Sequence, residues 1–190
     1  MKKFLWLIVV AFAATSALAD QVTLNMTGAP TGSNGPYNIS VNGSPNQLIC
    51  FSAANSVYVG ETWTAHTYTI ADVTTNTHFP MTTFQANLLG YLADELFANP
   101  GNASYQNAIW YVFGTGGSNN TASQAAFSYI STHPGYSTTD IFYIPDDGYL
   151  RYGRGPQPFI GQTPEPGSLA LLGSGLFGFA GMLRRRFVKN

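Results

Sequence analysis

Cys50 is the single thiol of the chain, set in the apolar run Leu48-Ile49-Cys50-Phe51. One cysteine excludes an internal disulfide, and a lone thiol asks for a reason. Two roles are open to it. It can be a small buried hydrophobe, or it can supply a thiolate for acyl transfer, where sulfur is a good leaving group. The other reactive side chains are scattered. His66, His78 and His133 stand at no metal-ligand spacing, so no metal and no cofactor are expected. Asp146-Asp147-Gly148 could touch calcium, but after Pro145 an Asp-Asp-Gly run is what a turn itself favours. Asp94-Glu95 falls on the polar face of a helical repeat, and no Ser-His-Asp arrangement or phosphate loop is present. Turnover chemistry is therefore not expected. A polysaccharide hydrolase working through carboxylates such as Asp94 or Asp146 stands as an alternative.

The elements that would position Cys50 follow from periodicity. Val22, Leu24 and Met26 alternate with polar residues over Gln21 to Thr27, the signature of a half-buried strand. Tyr37 to Val41, Gln47 to Ser52 and Thr62 to Ile70 read as further strands. The first two are joined across Asn42-Gly43, a hairpin signal. After Pro80 the period lengthens: Phe84, Leu88, Leu92 and Leu96 recur as on the buried face of a helix, which Asn99-Pro100-Gly101 ends. Ser104 to Phe113 and Thr121 to Thr132 read as two shorter helices, and strand character returns at Asp140 to Ile144 and Tyr149 to Tyr152. Strands, helices, strands in that order predict a mainly β fold, a sandwich or barrel with a helical insertion around 82–132.

Charge divides the chain. Lys2, Lys3, Arg184, Arg185, Arg186 and Lys189 sit at its two ends, leaving Arg151 and Arg154 against eight acids in residues 20–163, a net charge of −6 with no lysine. Such a surface has no basic footprint for phosphate, which excludes nucleic acid as the expected partner. Lys2-Lys3, an apolar stretch from Phe4 to Phe12 and Ala17-Leu18-Ala19 read as a signal peptide over residues 1–19. The body spans 20–152, and 153–163 reads as a Gly/Pro linker.

The C-terminal segment is more specific. Pro164-Glu165-Pro166 precedes an uncharged stretch from Gly167 to Leu183 and the cluster Arg184-Arg185-Arg186. About seventeen uncharged residues are at the short end of what crosses a bilayer, and flanking arginines stay cytoplasmic. A transmembrane helix over 167–183 is expected, with the arginines as its stop. Motif, apolar helix and basic cluster together resemble the PEP-CTERM sorting signal over 164–187. The resemblance implies recognition by an exosortase, an inner-membrane intermediate with its C-terminus in the cytoplasm, and delivery to the cell surface or extracellular matrix. The two targeting signals and a polar body without a catalytic cluster together point to an adhesion or structural protein, with a surface polysaccharide or protein as its ligand.

A second resemblance concerns the body. Tyr105-Gln106-Asn107-Ala108-Ile109-Trp110 resembles the Thr-Gln-X-Ala-X-Trp segment of thioester (TQXA) adhesion domains, with tyrosine where that motif has threonine. In that family a cysteine on an early strand is joined to the glutamine. The resemblance implies a bond between Cys50 and Gln106, formed with loss of ammonia and able to acylate an amine or hydroxyl. Phe51, Tyr105 and Trp110 would shield it from water.

Overall fold

In the computed structural model the described residues are 21–28, 34–75, 81–146 and 155–163. Strand β1 (Gln21–Gly28) buries Val22, Leu24 and Met26. It pairs antiparallel with β2 (Tyr37–Val41) and with β4 (Thr62–Tyr68). A two-residue turn at Asn42 (φ 49°) and Gly43 (φ 82°) leads β2 into β3 (Ser44–Cys50). Both turn residues being left-handed matches the right-handed twist of the flanking strands. The Asn42 side chain also accepts the Thr23 N–H at 2.9 Å, fastening the turn to β1.

β5 (Ile141–Pro145) adds to β4, and β6 (Phe159–Gly161) pairs with both β5 and β3, closing a barrel of order β1-β2-β3-β6-β5-β4. Between β4 and β5 the chain forms α1 (Ile70–Thr75), α2 (Thr83–Ala98), α3 (Ala103–Phe113) and α4 (Thr121–Thr132). Each longer helix starts on a side-chain cap: Thr82 accepts Gln85 N–H, Asn102 accepts Ser104 N–H, and Asn120 makes a reciprocal pair with Ser123. Such caps satisfy donors the first turn would otherwise leave open.

Alternation splits the core into two layers. Leu24, Ile39, Leu48, Cys50, Trp63, Tyr143 and Phe159 fill the barrel. The intervening residues Ile49, Phe51, Phe142, Ile144 and Ile160 face outward and bury themselves against Leu88, Leu89, Leu92 and Ile109 of the helices. β5, β6 and the last three residues of β3, Leu48 to Cys50, are thus covered on both faces, and for that reason are apolar without alternation. Fully burying side chains of this size contributes roughly 1.5–3 kcal/mol each.

Three expectations change. The fourth strand stops at Tyr68, where Asp72 accepts the Thr69 N–H and hydroxyl and opens α1. The stretch read as a linker contains β6, which Gly161 lets pass flush against the Leu48 side chain and the Gln47 carbonyl. Gly and Pro there mark close approach within a barrel, not a spacer. The fold class with a C-terminal transmembrane helix is also corrected. Among the described residues no helix is long and apolar enough to cross a membrane. The longest, α2, has 16 residues and carries Asp94 and Glu95. Residues 167–183, the signal peptide over 1–19 and the strand at Tyr149 to Tyr152 lie outside the described residues.

Candidate functional site

Cys50 ends β3 with its side chain inside the barrel, fully buried and free of any disulfide. Its thiol donates to the Ser52 carbonyl at 3.1 Å. Burial pushes the thiol up to about 12, against a lesser opposing pull from the Trp110 indole and the Ser52 backbone. Desolvation disfavours the thiolate, so the resting group is a neutral thiol.

Gln106 lies in the first turns of α3, and it too is fully buried. Its amide nitrogen donates to the Cys50 carbonyl at 2.7 Å, and its amide oxygen accepts the Gly35 N–H at 3.2 Å. The Gly35 carbonyl in turn accepts the Gly101 N–H, tying the β1–β2 loop to the start of α3. A Cβ on Gly35 would sit 3.0 Å from the Gln106 oxygen, so this approach favours glycine. The structure therefore brings Cys50 and Gln106 together across 56 residues of sequence.

Trp110 stands one turn after Gln106 on the same helix face and packs against the barrel cluster that holds Cys50. Its buried indole nitrogen has no hydrogen-bond partner, and the indole opposes the rise of the Cys50 thiol. The other two expected shields face away from this cluster. Phe51 points into the helical layer against Phe113 and Phe142, and Tyr105 donates to Glu95 at 3.2 Å. Tyr37 and Phe159, edge to face at 6.0 Å, belong to the cluster instead. Strand parity decides this: Phe51 is one residue from Cys50 and must take the opposite face.

The remaining candidates are not brought to Cys50. Asp146 accepts from Gln21 at 2.7 Å and pairs with His66 at 3.1 Å. His133 stacks on Tyr129, and His78 and Asp147 lie outside the described residues. Among the described residues no group of three or more His, Cys, Asp or Glu could hold a metal ion. A second buried polar centre went unread in the sequence. Asp140, 3% exposed before β5, has one carboxyl oxygen without a partner. Burial, and next the nearby Asp94 charge, push this carboxyl up to about 7.

Residues 162–186 match the PEP-CTERM protein-sorting motif. That motif implies an exported protein sorted by an exosortase, the processing partner, to the cell surface or extracellular space. The match contains Pro164, Glu165, Pro166 and Arg184 to Arg186, which lie outside the described residues. No curated protein and no solved structure matches the chain.

Proposed function

We propose that this exported protein is an adhesion module whose barrel domain acts through an intramolecular thioester between Cys50 and Gln106. The observation that carries the reading is the Gln106 carboxamide lying across the Cys50 backbone with both side chains fully buried. The Cys50 sulfur attacks the Gln106 side-chain carbonyl carbon; the C–S bond forms, the C–N bond breaks, and ammonia leaves with the thiol proton. A target amine or hydroxyl then attacks the same carbon, and the sulfur departs to regain a proton. Each molecule reacts once, so the protein is not a turnover enzyme. The dry barrel interior keeps water from the bond, and residues 20–163 hold no lysine to consume it internally.

The chemistry is read directly from intact mass. Purified protein is expected to weigh less than its sequence by one ammonia, with the deficit abolished in Cys50→Ala and Gln106→Ala and reversed by methylamine. Full mass together with an alkylatable Cys50 in the denatured protein would reduce the pair to a packing role, leaving a non-covalent module for surface polysaccharide or protein. The glycan-hydrolase alternative draws less support. Asp94 and Asp146 sit on separate elements, and Asp146 is already engaged by Gln21 and His66.

A further inference from the structure

One N–H group already meets an atom that would carry charge in this chemistry, and a second, unpartnered one packs against the cluster that holds the other. When a nucleophile adds to the Gln106 carbonyl carbon, negative charge develops on the amide oxygen, and on collapse it passes to the sulfur. The oxygen already accepts the Gly35 N–H at 3.2 Å in a fully buried setting. Trp110 packs against the barrel cluster that holds Cys50, and its buried indole N–H has no hydrogen-bond partner. A buried indole nitrogen without a partner carries a desolvation cost of about 1–3 kcal/mol and calls for an explanation.

We propose that the Gly35 N–H is the oxyanion donor of the acyl-transfer centre and the Trp110 indole N–H is the donor to the leaving sulfur. The proposal rests on the thioester reading above. None of the described residues is a lysine or arginine, and His66 and His133 are held at Asp146 and Tyr129, so neutral N–H donors are what this interior offers to charge. Preorganised neutral donors in a water-excluded site serve well, because they need no reorganisation as charge appears. In the amine reaction the C–N bond forms, the C–S bond breaks with its electron pair going to sulfur, and a proton from the amine ends on sulfur. Burial makes an unassisted thiolate costly here, as the raised thiol shows. An indole donor held open for the sulfur relieves that cost at the step where it arises, and accounts for its lack of a partner beforehand.

The test follows the methylamine reaction of the full chain by intact mass, for wild type, Trp110→Phe and Gly35→Ala. Trp110→Phe keeps an aromatic ring and removes the donor. Gly35 lies outside the left-handed region, so alanine fits its backbone while its Cβ presses on the amide oxygen from 3.0 Å. Loss of a donor to developing charge is expected to slow aminolysis by about 10- to 100-fold in Trp110→Phe. Displacing the oxyanion is expected to slow it by about 100-fold in Gly35→Ala. Circular dichroism checks folding, and a misfolded Trp110→Phe passes the decision to Gly35→Ala, whose change lies on another element. Rates within twofold of wild type in the folded variants overturn the donor assignment while leaving the thioester in place. A wild-type protein of full mass sinks the thioester reading itself, and the donor roles with it.

Discussion

Two buried carboxamides in this molecule, on different helices, make the same kind of bridge. Gln106 of α3 accepts the Gly35 N–H and donates to the Cys50 carbonyl, at 3.2 and 2.7 Å. Asn87 of α2 accepts the Thr138 N–H and donates to the Tyr136 carbonyl, at 2.9 and 3.1 Å. Both depend on a glycine for close approach: Gly35 against the Gln106 oxygen, and Gly90, where a Cβ would collide with Thr138. Each ties a helix to a loop, around Gly35 or around Thr138, which is how buried backbone groups outside ladders are satisfied. The difference lies in the neighbour. Gln106 is bonded to the backbone of a cysteine; beside Asn87 is Thr138, and two residues on is the buried Asp140. On the proposed reading, one sulfur atom is what separates a reactive centre at Gln106 from a packing device at Asn87.

The largest effect that separates the two is expected from truncation. Gln106→Ala strands the Gly35 N–H and the Cys50 carbonyl in a site with no exposure, and leaves a cavity. Two unsatisfied groups at about 1–3 kcal/mol each predict a loss on the order of 4 kcal/mol in urea unfolding. Asn87→Ala strands a matching pair at a site 6% exposed, where water can enter, so about 2–3 kcal/mol is expected. Both variants lose stability, but only Gln106→Ala also changes the ammonia deficit of the folded chain. An equal mass signature in both would break the distinction.

How much of this was legible depended on local pattern. The barrel's first four strands and the three longer helices declared themselves through alternation, a helical repeat and stop signals, because those are properties of neighbouring residues. β6 did not: three residues, Phe159–Gly161, among glycines and prolines are too few for a period, and only closure of the barrel makes them a strand. The pairing of Cys50 with Gln106 was reachable through the motif around Gln106. Gly35 was not, since nothing in a Gly/Pro-rich loop marks which N–H will meet a side chain 71 residues away. Asp140 was read as the edge of a strand, and its burial is a consequence of α2 packing over it.

That second centre predicts a pH dependence of its own. Asp140 ordinarily titrates near 3.8, and burial together with the Asp94 charge raises it to about 7 in the folded protein. Between these values the folded state holds a proton that the unfolded chain has released, so stability is greatest at acid pH and declines as pH rises from about 4 to about 7. Above that range the contribution of this group is constant. Asp94, raised in the same direction by burial, steepens the fall, while Thr138 works against it at Asp140. Each unit corresponds to about 1.4 kcal/mol, so a decline on the order of 2–4 kcal/mol is expected, and Asp140→Asn should flatten it. A variant keeping the wild-type slope would move the titration to another group. The Cys50–Gln106 centre contributes nothing in this window, since a free Cys50 thiol stays protonated there and a thioester has no proton to lose.

The smallest effect is expected at Gln162, which joins the acidic centre to the sorting segment. Its amide donates to Asp94 at 3.4 Å on an exposed surface, and the next residue, Thr163, donates its hydroxyl to the Thr139 carbonyl. A long, exposed hydrogen bond of this kind carries little net stability, so Gln162→Ala should change the unfolding free energy by less than about 0.5 kcal/mol. The same bond, however, opposes the rise of the Asp94 carboxyl. Removing it lets Asp94 hold its proton to higher pH, so the decline in stability with pH should extend further toward neutrality even though the value at acid pH is unchanged. Urea midpoints measured across pH for Gln162→Ala, alone and with Asp140→Asn, separate the two contributions. Because Gln162 and Thr163 also begin the matched sorting segment, the barrel and its sorting motif meet without a spacer between them. A wild-type pH profile in Gln162→Ala would mean that the segment touches the acidic centre without influencing it.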